Sequence, residues 1–191
     1  MKRAVRLLLL AGALALTGCA RNEQREDCPD GGRVVDPALL AFLSKARSAH
    51  HIADQREAEG DRAAALRALQ SLTASPVPDG KAPEVEEVLA DTYARSADLL
   101  SQAGRFDQAD AELSAGLEHA RAPTYFRGHL FEVRGLVEEQ REKALRANGH
   151  GPEADQARER SLSAYEEAMK IQAQVIGKAA PTPAPSDAPR P

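Results

Sequence analysis

From Asp36 to Ile176, apolar side chains recur three or four residues apart, the spacing of an α-helix that buries one stripe. Gly and Pro interrupt the run at intervals, so it reads as several helices and not one. Asp36-Pro37 supplies an N-cap and a proline at the first helical position, ahead of the stripe Leu39, Phe42, Leu43, Ala46, Ala49 and Ala53. This helix is expected to run to about Ala58 and to stop at Gly60-Asp61. A second, about 62–72, turns Ala65, Leu66, Leu69 and Leu72 inward, and the Pro-rich stretch from Ser75 to Gly80 is a loop. A third starts at Pro83, with Glu84, Glu86 and Glu87 in the first turn, where the helix dipole favours negative charge, and ends at Gly104. Val85, Val88, Leu89, Thr92, Tyr93 and Leu100 form its stripe. The fourth, about 106–119, buries Ala109, Leu113 and Leu117 before Ala122-Pro123 breaks the chain. The fifth carries Phe126, Leu130, Val133 and Val137 and fades near Asn148, and Gly149-His150-Gly151-Pro152 is a turn. The sixth, about 153–176, turns Ala157, Leu162, Tyr165, Ala168, Met169 and Val175 inward. Ala, Leu, Glu and Arg abound while β-branched residues are scarce, which makes an all-helical fold the default reading. Six helices with short loops make three antiparallel hairpins.

Two of the hairpins share a layout. Gly60 and Gly104 are each followed five residues on by Ala (Ala65, Ala109), then four later by Leu (Leu69, Leu113), and a proline closes each unit (Pro76, Pro123). This layout resembles the tetratricopeptide repeat (TPR), with Ala53 and Ala97 at the small position of its first helix. The period here is 44 residues, from Gly60 to Gly104, longer than the family's usual length of about 34. The third hairpin departs further. Gly135 takes the small position, Tyr165 and Ala168 lie well on the second helix, and about fourteen residues around 141–155 are inserted. The resemblance implies an all-α, right-handed TPR-like solenoid over residues 36–176, and the same periodicity also fits a generic helical bundle.

The N-terminus reads as an address. Lys2, Arg3 and Arg6 precede a ten-residue apolar stretch, Leu7–Leu16, which is half the length a spanning helix needs. It ends in Leu16-Thr17-Gly18-Cys19, which resembles the bacterial lipobox. That resemblance implies removal of residues 1–18 as a signal peptide, lipidation (palmitate among the acyl chains) of Cys19, and a lipid-anchored tether over 19–35. Ala20 stands where an Asp would favour retention in the inner membrane, so the resemblance points to the outer membrane, at its periplasmic face. Residues 177–191 hold five of the twelve prolines and are expected to form a disordered Pro/Ala-rich tail. Cys28 would then lack a partner within its chain, which leaves an inert thiol or an intermolecular disulfide.

Charge and motifs narrow the chemistry. The chain carries 25 basic and 29 acidic groups, and loss of residues 1–18 would leave 22 against 29, or −7. A nucleic-acid ligand would call for a basic stripe, and none is present. No Gly-rich phosphate loop, nucleophile elbow or Cys-x-x-Cys occurs, so neither an enzyme nor a cofactor is expected. His50 with Asp54, and His129 with Glu132, share helical faces at spacings a metal could use, but nothing in the sequence makes the two pairs converge, and no metal site is expected.

In TPR arrays the first helices of successive hairpins line the concave face, so the resemblance implies a binding groove. Aligned on Ala53, Ala97 and Gly135, the groove would present Arg47, His50, Asp54 and Glu57, then Asp91, Ala94, Asp98 and Ser101, then His129, Glu132 and Glu139. Six of these are carboxylates, which suits a basic peptide or protein surface. The expected role is a lipid-anchored adaptor in an envelope assembly, and the alternative is a small structural helical-bundle lipoprotein packed into an envelope complex.

Overall fold

The computed structural model describes residues 36–78 and 82–179. The expected signal peptide, Cys19, the tether with Cys28, and positions 180–191 of the tail lie outside the described residues. The described residues are all-helical, with six helices and no strand: α1 (Pro37–Ala58), α2 (Arg62–Thr73), α3 (Pro83–Gln102), α4 (Phe106–His119), α5 (Tyr125–Ala147) and α6 (Gly151–Ala179). Asp36 caps α1 by accepting from the Ala38 N–H at 2.8 Å, and Asp61 caps α2 through the Ala64 N–H at 2.8 Å. Thr124 caps α5 by accepting from the Arg127 N–H at 3.3 Å.

The three hairpins turn in the same way. Gly60, Gly104 and Gly149 adopt φ of 81°, 72° and 79°, left-handed backbone that only glycine takes without strain. In each turn the residue after the glycine donates its N–H five residues back, Asp61 to Arg56, Arg105 to Leu100 and His150 to Leu145, at 2.8–2.9 Å. The glycine N–H donates three back, to Glu57, Ser101 and Arg146. This Schellman pattern satisfies carbonyls at each helix end that would otherwise lack donors. The next helix begins two residues after the glycine every time. The sixth helix therefore starts at Gly151, not near Glu153, because a proline in the first helical turn forfeits no hydrogen bond. It also continues to Ala179, three residues into the stretch expected to be tail.

The insertion in the third hairpin is helical. The buried small pairs Ala53/Ala65 and Ala97/Ala109 are each 12 residues apart. Their counterparts are Gly135 and Ser161, 26 apart, and the Ser161 hydroxyl donates to the Gly135 carbonyl at 3.0 Å. The extra residues lengthen α5 and α6 by about two turns each.

Each hairpin packs mainly on its neighbour. α1 packs on α2, α3 on α4 and α5 on α6; α2 then meets α3, and α4 meets α5. The first helices of the hairpins, α1, α3 and α5, also lie side by side in a row. Among the described residues α1 reaches only α2 and α3, and α6 reaches only α5. One apolar cluster joins Ala53, Leu69, Ala97, Leu100, Leu113, Leu130 and Val137 across the three hairpins. A second joins Phe42, Ala46, Ala49, Leu72, Val85 and Leu89 beneath α1. Leu69, Leu72, Leu100, Leu113 and Leu130 are fully enclosed, each contributing about 1.5–3 kcal/mol. The expected inward stripes hold in α1 to α5. In α6 they hold in part: Ala157 and Ala168 are buried as expected, but Leu162 and Met169 face outward, and Ala154, Ala164 and Ile171 are buried in their place. With α5 as its one neighbour, α6 has room to bury only a narrow stripe, and alanines let the two helices approach closely.

Candidate functional site

The expected groove draws on α1, α3 and α5, and these helices form the row described above. Arg47 and Asp54 are exposed on α1, Asp91 and Asp98 are half-buried on α3, and on α5 His129 is half-buried and Glu132 exposed. His129 Nε2 stands 4.0 Å from an Asp91 carboxylate oxygen, and its Nδ1 stands 3.3 Å from Glu132. These two residues are 38 apart, the same interval as Ala97 to Gly135, so the alignment on Gly135 matches the way α3 and α5 lie.

Four residues differ from expectation. Ser101 is 2% exposed and donates to the Asp98 carbonyl at 2.8 Å, so it belongs to the core and not to a binding face. Ala94 is fully buried. Glu139 accepts from the Tyr165 hydroxyl at 3.0 Å and so faces α6. His50 is half-buried against α3, with Nε2 2.9 Å from Thr92 Oγ1. Thr92 donates its single hydroxyl proton to the Val88 carbonyl at 2.7 Å, so His50 is the donor in this pair, with its proton on Nε2. Burial holds the imidazole below its ordinary pKa, against the nearby Asp91 carboxylate, which pulls it up.

Arg95 is a residue that the sequence reading missed. Its guanidinium reaches from α3 to α1, donating to Asp54 at 2.6 Å, to Glu57 at 2.5 Å and to the His50 carbonyl at 3.3 Å. The sequence held a signal: Arg95 lies four residues after Asp91 and three before Asp98, on the same helical face as both. Two of the expected groove carboxylates therefore serve first to bind α1 to α3. Asp98 accepts from Gln102 Nε2 at 3.0 Å, and burial pushes its carboxyl above the usual range. Tyr125 was also missed. Its ring is 55% exposed and stacks on His129 at 6.0 Å, beside Glu132 and Asp91. The face remains acidic: Asp54, Glu57, Asp91, Asp98 and Glu132 outnumber its two arginines, Arg47 and Arg95.

Elsewhere, a cavity of about 590 Å³ opens where the start of α4 meets the lengthened ends of α5 and α6, lined by Phe106, Arg141, Leu145, Asn148 and Arg160 among others. Two of its arginines are bound to neighbouring carboxylates. Arg141 binds Asp110 and lies over the Phe106 ring at 5.2 Å, while Arg160 donates to the buried Glu138 at 2.9 Å. This cluster ties α4, α5 and α6 together. Among the described residues no group of three or more His, Cys, Asp or Glu side chains is placed to hold a metal ion. No described helix is long and apolar enough to cross a membrane. In comparisons with known proteins the chain matches no family model, no curated protein and no solved structure.

Proposed function

We propose that this chain is a lipid-anchored, TPR-like adaptor of the bacterial envelope that holds a basic segment of a partner protein on the row formed by α1, α3 and α5. The observation that carries the reading is the carboxylate distribution: Asp54 and Glu57, Asp91 and Asp98, and Glu132 stand on three neighbouring helices of one layer. Such a face raises the local concentration of a cationic ligand and speeds encounter, and salt weakens the effect. Arg95 neutralises the α1 end of the row, so the contacts shift toward Asp91 and Glu132, with the exposed Tyr125 ring as an apolar shelf beside them. The stacking of like hairpins, each closed by the same glycine turn, supports a solenoid of helical repeats. The anchor rests on Leu16-Thr17-Gly18-Cys19, and the outer-membrane address on Ala20.

Two measurements test this reading. Cys19→Ser should leave an uncleaved precursor or a soluble product; fractionation with the outer membrane after cleavage at Gly18 would remove the anchor from the proposal. Capture of partners from detergent-solubilised membranes, repeated with Asp91→Lys plus Glu132→Lys, should show a basic protein lost from the variant at low salt. Equal capture by both forms would refute the acidic face and leave the alternative, a structural bundle packed into an envelope complex.

A further inference from the structure

The outer side of α6 carries apolar residues that the chain itself does not cover. Leu162 is 47% exposed, Met169 65% and Ile176 69%, and each follows the last by seven residues. Leu136 of α5, 37% exposed, borders them, since the neighbouring Gly135 lies against the Tyr165 ring. An interval of seven, repeated, keeps a seam turned toward another helix running alongside, and α6 is long enough at 29 residues to offer two full heptads. Together these side chains expose about 400 Å² of apolar surface, the size of patch that marks an interaction site on a monomer.

We infer that a second copy of this chain covers this face, with the two α6 helices antiparallel about a two-fold axis at Met169. The order Leu, Met, Ile is self-complementary in that register: Met169 meets Met169 of the other copy, and Leu162 meets Ile176, as a closed two-fold interface requires. The charges agree. Glu166 of one copy falls opposite the neutral Gln172 of the other, with Lys170 of that copy within reach. Lys170 now pairs with Glu167 at 3.2 Å and is 66% exposed, so it is free to turn. With Tyr165, Gln172 and Ala173 at the margins, two copies would bury roughly 1,000 Å² in total, the low end for specific association, so the dimer is a weak one.

Sedimentation velocity of the full chain in reducing buffer, from micromolar to near-millimolar concentration, tests the pairing. A reversible monomer–dimer equilibrium is expected. Met169→Glu should raise its Kd at least about tenfold while circular dichroism stays unchanged. Met169→Gln, which adds no charge, should weaken it less. Orientation is read in a background with Cys19→Ser and Cys28→Ser: Met169→Cys should oxidise to a disulfide dimer, and Leu162→Cys should link to Ile176→Cys but not to itself. A wild-type chain that stays monomeric throughout, whether because another protein takes this face or because nothing does, overturns the proposal. So does a Met169→Glu chain that dimerises like the wild type, and self-linking of Leu162→Cys overturns the antiparallel register.

Discussion

Replacing Gly135 by alanine adds one methyl group where α5 and α6 leave no room for it. A Cβ there would lie 2.6, 2.7 and 2.8 Å from three atoms of the Tyr165 ring, closer than carbon atoms approach. The ring is not free to swing away, because its hydroxyl donates to Glu139 at 3.0 Å. Forcing a methylene into a packed contact costs about 1–3 kcal/mol. Losing the Tyr165–Glu139 hydrogen bond adds about 1 kcal/mol. Alanine returns about 1 kcal/mol of helix propensity over glycine. The net expectation is a loss of about 2 kcal/mol, a fall in Tm of about 5 °C for a domain of this size. Gly177→Ala is the control, since nothing lies within 4 Å of the added atom and Gly177 is helical. It should be neutral or stabilising by up to about 0.5 kcal/mol near a helix end. Urea denaturation followed by circular dichroism measures both. Tyr165→Leu placed on Gly135→Ala should recover part of the loss, so that the double change costs less than the sum of the two single ones. A Gly135→Ala protein as stable as Gly177→Ala would refute the close crossing of α5 and α6.

Other outcomes follow from the same packing. Ala65→Glu and Ala109→Glu put a charge at fully enclosed positions and should each cost at least about 3 kcal/mol; a loss under about 1 kcal/mol on either would break the hairpin assignment. Arg95→Met leaves Asp54 and Glu57 without their shared partner, and should loosen α1 from α3 by about 1 kcal/mol, read as faster amide exchange in α1. Asp98 has a carboxyl pKa raised by burial, so the folded chain holds that proton more tightly than the unfolded one. Its contribution therefore favours folding at low pH and is lost as pH rises through the folded value, and Asp98→Asn should be more stable than wild type at pH 7 in thermal melts. His50 runs the other way. Its lowered pKa gives a contribution that is full above the unfolded value near 6.5 and is lost as pH falls through the folded one, which a proton titration of the imidazole would follow by NMR.

The helices were legible because their signals are local. Asp36-Pro37, Gly60, Gly104 and Gly149 each act within a few residues, and their effects are visible in the chain itself. The contents of the acidic face were only half legible. Asp91 and His129 fell into place from helical phase alone, whereas Arg95 contacts Asp54 and Glu57 across about forty residues, and no local pattern fixes which cation fills the gap between two helices. Ser101 failed for a related reason: it shares a helical face with Asp98 but lies one turn further on, where α3 passes into the core. Leu162 and Met169 failed because apolarity sets which residues could be buried, while the number of neighbouring helices sets how many are.

The lengthened tip of the third hairpin has a bearing on how a chain of this kind can change in evolution. Seven added residues turn a helix by about 700°, only about 20° short of two whole revolutions, so a segment added to both α5 and α6 leaves their facing surfaces aligned. Four or five residues on each side would have put α6 out of phase with α5 at the turn, so that Ala157, Ala164 and Ala168 no longer faced α5. Growth at these tips is therefore quantised, in steps of about fourteen residues centred on the glycine turn. The overhang it creates supports itself, with Arg146 holding Asp155 at 2.8 Å across the turn and Glu142 at 2.9 Å on its own helix. Homologous chains, wherever they occur, should differ in length at Gly149 by such steps and hold their length between α3 and α5, where the row of helices leaves no slack.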